Sequence, residues 1–293
     1  MANLKEIRTR ISSVKNTRQI TSAMKMVSAA KLRRAQDGIL MMRPYALKLQ
    51  HILSDLAQNV ESEDVEIYRE ERELQKILLV VITSNKGLCG GFNANIVKQV
   101  ISELSDEYKE LYENDRVEIL AVGKKGGELL IGKGYDVQSI NTKLLDDLNY
   151  DESKKQAVSI IKKYLTGEYD LIKLYYNQFK NAATQFVISE QYLPVPAPEL
   201  AEYEKEHFDY ILEPSKEEIV ADLIPKSLKV IFYKALLESV ASEHGARMTA
   251  MHKATDNASE MIRDLQLEYN KARQASITNE ILEIVGGAEA LKG

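Results

Sequence analysis

Gly87, Gly90 and Gly91 stand in the segment Gly-Leu-Cys-Gly-Gly-Phe, which follows an apolar strand-like run and precedes a helical stretch. Backbone amides in a loop so placed can cradle phosphate. The segment matches neither the dinucleotide fingerprint nor the Gly-Lys-Ser/Thr ending of a P-loop, and the glycines between Gly123 and Gly127 complete neither motif. Tight turns, with Asn93 capping the next helix, are the better use of these residues. The histidines His51, His207, His244 and His252 are scattered without metal-ligand spacing. Cys89 reads as a small loop or core residue rather than a nucleophile. The adjacent carboxylates Asp146 and Asp147, and Glu217 and Glu218, read as solvated faces, because a general acid and base need distinct buried environments. No catalytic, cofactor-binding or metal site is expected.

The elements around these residues are of two kinds. Residues 1–43 contain only Gly38 and no proline, and residues 226–285 contain only Gly245, whereas eight of the fourteen glycines fall between 87 and 134. Both ends can therefore form very long helices, and the middle is built differently. Asn3 with Glu6 would cap the first helix, and Leu4, Ile7, Ile11 and Val14 follow one helical face. The phase then shifts to Ile20, Met24 and Val27, beside small residues that admit a close partner helix. Helical to about residue 58, this segment would span roughly 85 Å and must project. Pro44 should kink or briefly interrupt it.

At the other end Val230, Leu237, Ala241, Met248, Met251, Ala258, Ile262, Leu265, Tyr269 and Ala272 fit one three-four alternation, with Lys234, His244 and Thr255 as polar members. Ile277, Ile281, Ile284, Ala288 and Leu291 carry a stripe nearly to the end. Ser215 with Glu218 forms a capping box, and Pro225 should break or kink the first turns. The two terminal seams most simply pair as an antiparallel coiled coil; two amphipathic helices lying on the central domain are the alternative.

Between them, Ile77–Thr83, Val117–Val122, Val137–Ile140, Tyr169–Tyr176 and Gln185–Ser189 read as strands, with helices near 94–112, 126–131 and 152–165. This alternation predicts a mostly parallel, Rossmann-like α/β sheet whose last two strands form an antiparallel hairpin. The expected organisation is an N-terminal coiled-coil helix (1–59), an acidic linker (60–74), the α/β domain (75–193), a proline-rich connection (194–213) and a C-terminal coiled-coil helix (214–293). The longest apolar run, Ile77–Ile82, is far short of a membrane span, and a single cysteine suits a reducing cytosol. Residues 1–50 carry eleven Lys and Arg against Glu6 and Asp37, a local balance of +9 within a net charge of −5.

Three long blocks carry a resemblance. Ile7–Lys31 (IRTRISSVKNTRQITSAMKMVSAAK) is similar to the N-terminal signature of the γ subunits of F-type ATP synthases. Ala241–Met251 (ASEHGARMTAM), Ala254–Asn257 (ATDN) and Leu265–Val285 (LQLEYNKARQASITNEILEIV) resemble that family's C-terminal block, and Gly87–Gly91 its central loop. Residues 61–74 and 141–155 match nothing in it, and the cysteine insertion of chloroplast relatives is absent. The resemblance implies a non-catalytic rotor shaft, coupling the membrane c-ring of a proton- or sodium-translocating complex to the catalytic β subunits. It implies α, β, ε and c-ring partners, no cofactor, and membrane association only through the complex, on the cytoplasmic face of a bacterial membrane. It places Met24 near an acidic loop of β, and Arg273, Gln274 and Thr278 on the α/β ring. Phe208–Pro214 (FDYILEP) resembles the segment meeting ε and the c-ring, with Tyr210 and Glu213 as the contacts. The basic N-terminal helix also raises a nucleic-acid-binding coiled coil as an alternative. An enzyme built on the α/β domain is a third.

Overall fold

The computed structural model describes residues 4–57, 66–70, 72–196, 213 and 215–290. The ends poor in glycine and proline form two long helices, α1 (Leu4–Ala57) and α6 (Lys216–Ala290). Neither Pro44 nor Pro225 interrupts them. A proline removes one helical hydrogen bond, and buried side chains hold the helix nearby: Ala46 and Leu49 pack with Val230, and Val220 and Ile224 join the core. The Ser215 hydroxyl accepts the Glu218 N–H at 3.2 Å, as the capping box requires. Asn3 lies outside the described residues, as do residues 60–65 and 71 of the acidic stretch.

The chain divides into two compact units, residues 1–28 with 248–293, and residues 29–247. Both long helices contribute to each.

In the second unit the middle of the chain folds as β1 (Ile77–Ile82), α2 (Phe92–Ser105), α3 (Lys109–Glu113), β2 (Val117–Val122), α4 (Lys124–Ile131), β3 (Ser139–Asn141), α5 (Tyr150–Leu165), β4 (Leu171–Phe179) and β5 (Gln185–Leu193). The sheet order is β3-β2-β1-β4-β5. All neighbours are parallel except β4 and β5, which pair as the expected antiparallel hairpin. β1 is central and buried along its whole length, which is why it reads as an unbroken apolar run. Leu78, Val80 and Ile82 face one core with α5 and the first half of α6; Ile77, Leu79 and Val81 face another with Ile96, Val97, Val100 and Leu104 of α2.

In the first unit, segments of α1 and α6 pair. As the α1 residue rises from Arg8 through Thr21 to Lys25, its α6 partner falls from Tyr269 through Thr255 to His252. The pairing is antiparallel. Met251, Ala258, Ile262 and Leu265 are buried in the seam, as their spacing predicts.

Candidate functional site

The α1 register departs from expectation. Ile20 and Val27 are exposed, and within the α1 segment of the first unit the buried positions after Ile7 are Thr21 and Ser28. The three-four alternation of Ile7, Ile11 and Val14 therefore continues in phase, with hydroxyl residues where an apolar shift was expected. Those hydroxyls are satisfied locally: Thr21 Oγ1 donates to the Arg18 carbonyl at 3.1 Å and shares a 2.8 Å hydrogen bond with Thr255 Oγ1, and Ser28 Oγ donates to the Met24 carbonyl at 2.8 Å. Met24 is half-buried beside this seam.

Arg273, Gln274 and Thr278 are all exposed on the α6 segment of the first unit. From Ile277 onward so are the apolar side chains: Ile281, Leu282, Val285 and, at 71%, Ile284. No described residue of α1 covers them. Glu213 is exposed, and Tyr210 lies outside the described residues.

Within the second unit, the loop after β1 occupies the point where the strand order reverses, the place at which open α/β sheets bind ligands. Its polar groups are engaged by the chain itself. Arg247 Nη2 donates to the carbonyls of Lys86 at 2.7 Å and Gly87 at 3.2 Å, while Nη1 pairs with Glu243. Asn93 does not cap α2; Gly91 holds that position. The Asn93 side chain instead turns back, accepting the Ser84 N–H at 3.0 Å and donating to Cys89 Sγ at 3.2 Å. Burial pushes the Cys89 thiol up, away from the reactive thiolate. Gly123, at φ +107°, and Gly126 lie so close to Thr83 that a Cβ on either would meet it at 2.5 Å.

Arg247 and Glu243 share their helix turn with His244. Burial, with the charges of Arg247 and Lys31 adding, pushes this imidazole down to about 4, and its Nδ1 has no hydrogen-bond partner among the described residues. Burial raises Glu243 despite its arginine. Sequence reasoning passed over Arg247: its pairing with Glu243 is an ordinary i,i+4 spacing, and its other partners are backbone carbonyls some 160 residues away, which no spacing rule reaches.

The family model described as ATP synthase matches residues 3–291. The ATP synthase gamma chain of Flavobacterium johnsoniae is 56% identical over the whole of both chains, and that of Cytophaga hutchinsonii 53% identical over 99% of each. The chain belongs to the family of ATP synthase gamma chains. Among solved structures, a chain of the Tetrahymena thermophila mitochondrial ATP synthase central stalk and c-ring is similar at 28% identity, covering 80% of this chain and 99% of that one, with a TM-score of 0.56. A chain of the Euglena gracilis mitochondrial ATP synthase shares the fold, at 24% identity over 98% of this chain and 94% of that one, with a TM-score of 0.67.

What the first unit presents is surface: the half-buried Met24, the exposed Arg273, Gln274 and Thr278, and the exposed apolar side chains from Ile277 to Val285. Among the described residues, no helix is long and apolar enough to cross a membrane.

Proposed function

We propose that this chain is the central shaft of a rotary ATP synthase, turning with a membrane c-ring and presenting successive faces to a threefold ring of α and β subunits. The carrying observation is the α6 segment from Ile277 to Val285, helical yet exposed along its apolar side chains, which in water requires a partner. A shaft entering a ring supplies one. The shaft is asymmetric, so each orientation would contact the three β subunits differently and bias their nucleotide sites, which is coupling by differential contact.

Catalysis would then belong to the partners. Arg273, Gln274 and Thr278 would hydrogen-bond to the ring, and Met24 with the basic face of α1 would meet acidic β segments. Exposed ion pairs contribute about 0 to 1 kcal/mol each, so several can carry force without one deep well that stalls rotation. Tyr210 and Glu213 would meet ε and the c-ring, holding the chain peripherally at the cytoplasmic membrane face. The comparisons lend no support to the nucleic-acid-binding alternative.

The test is ATP hydrolysis by cognate α and β subunits with and without this chain, followed by single-molecule observation of a bead on the α/β domain. ATP-driven rotation, weakened by deleting residues 270–293, is expected. Failure of a folded chain to assemble with α and β would overturn the reading.

A further inference from the structure

Glu238 of α6 is 1% exposed, yet it is a carboxylate. Arg43 of α1 grips it with a fork, Nε to Oε1 at 2.9 Å and Nη2 to Oε2 at 3.1 Å. The backbone N–H of Phe179, the last residue of β4, donates to the same Oε2 at 2.9 Å, and Arg43 Nη2 also donates to the Phe179 carbonyl at 2.9 Å. One node, with Glu238 buried and Arg43 41% exposed, therefore joins both long helices to the end of a central strand. All of it lies within the second unit. One turn further along α6, Ser242 Oγ donates to the Asn177 carbonyl of β4 at 3.0 Å, in line with the node.

Most of the remaining contact between α6 and the sheet is apolar, Val220, Ile224, Leu228, Phe232, Ala235 and Leu236 packing against β1, β4 and α5, with one further hydrogen bond from Tyr192 Oη of β5 to the Leu228 carbonyl at 2.9 Å. Apolar burial is non-directional. It resists separation of helix from sheet, but resists sliding or rolling of the helix much less. A forked, charge-assisted set of hydrogen bonds has fixed geometry and resists both. Stability alone is a poor reason for burying the Glu238 carboxylate, since well-packed apolar residues in place of a buried charge and its partner are often as stable or more so.

We infer that the Arg43–Glu238–Phe179 node is a torsional lock, with Glu238 the positioning residue that fixes the rotational setting of α1 and α6 on the α/β domain. The inference rests on the shaft reading for its purpose, since a shaft must carry torque from that domain into its helices without slipping. The geometry itself belongs to the chain alone.

The test separates the lock from stability. A double variant, Arg43→Met with Glu238→Leu, removes the fork while filling the space; Glu238→Gln keeps an acceptor for Phe179 but abolishes the charge. Spin labels on the exposed positions 37 of α1 and 109 of α3, introduced as Asp37→Cys and Lys109→Cys in the full chain, report the spread of their separation. Thermal melting reports stability. The double variant should melt close to the parent while the distance distribution broadens, with Glu238→Gln between the two. In the assembled complex, a bead on position 109 should show a larger angular variance at a stalled position than the parent, because mean-square displacement scales inversely with stiffness. Unchanged distance widths in variants that fold would overturn the lock. Failure of the parent complex to rotate would count against the shaft reading alone, since the label distances still decide the lock.

Discussion

Arg247 and Lys86 meet guanidinium to carbonyl at 2.7 Å, tying α6 to the loop that follows the central strand. The other arm of the guanidinium neutralises Glu243, and the two side chains are only 9% and 13% exposed. Truncation to Arg247→Ala leaves both a loop carbonyl and a buried carboxylate without their donor. Breaking one side of a buried pair costs about 3 kcal/mol or more. Urea unfolding of the full chain should register a loss of that order, and Glu243→Gln added to Arg247→Ala should recover part of it. A loss under about 1 kcal/mol, the worth of an ordinary hydrogen bond, would mean that the pair is solvated in practice.

His244 sets a pH dependence with a definite sign. Its folded value, about 4, lies below the ordinary 6.5. Between these values the unfolded chain binds a proton that the folded chain excludes, so stability is full above pH 6.5 and falls as pH falls towards 4. The full shift corresponds to a loss on the order of 3 kcal/mol. Glu243, raised by burial, acts oppositely, its contribution being lost as pH rises. Comparing parent with His244→Gln at pH 7 and pH 4.5 isolates the imidazole, and the gap between their unfolding free energies should narrow or reverse at the lower pH. Parallel profiles would mean that the imidazole is hydrated.

Much of this architecture was legible because apolar burial leaves periodic marks. Ile77–Ile82 is buried on both faces and reads as an unbroken strand, and the α6 seam from Val230 to Ala272 repeats regularly enough to phase. What escaped was polar. Thr21 and Ser28 hold seam positions that look like surface, because their hydroxyls return to their own helix carbonyls and can be buried cheaply. Asn93 looks like a cap but serves the neighbouring loop. Glu238 finds Arg43 and Phe179, and Arg247 its loop carbonyls, through tertiary structure alone. Of the candidate contact residues, the structure brings Arg273, Gln274 and Thr278 to an exposed surface, but the resemblance, not any pattern in the residues, singled them out.

The Thr21–Thr255 pair is suited to a double-mutant cycle. Replacing either residue by valine leaves the opposite hydroxyl without its cross-helix partner, at a cost of about 1 kcal/mol, whereas replacing both should cost less than the sum. Thermal unfolding of the four proteins would show the coupling. Strict additivity would mean that the bond from each hydroxyl to its own helix is the one that matters.

Glycine substitutions should divide by position. A Cβ on Gly126 would meet Thr83 Oγ1 at 2.5 Å, whereas nothing lies within 4 Å of the Cβ position of Gly286. Gly126→Ala should destabilise by about 2 kcal/mol through overpacking. Gly286→Ala, in the helix, should raise local helical stability by about 0.5–1 kcal/mol. Circular dichroism and hydrogen exchange would report the two effects. Adding Thr83→Ala to Gly126→Ala should restore part of the loss; no relief would place the strain elsewhere.

The end of α6 should matter only in company. Ile281, Ile284 and Val285 are exposed, so Ile281→Ser with Ile284→Ser removes little apolar surface that the chain itself buries. Surface changes of this kind usually fall within about 0.5 kcal/mol. The free chain should therefore melt as the parent does. Within a ring of α and β subunits these side chains would be covered, and losing them should weaken assembly, read as an increased dissociation rate of the chain from the ring. Unchanged assembly beside unchanged melting would mean that the ring does not use this face. A large drop in the melting temperature of the free chain would instead show that these side chains are buried by the chain in solution.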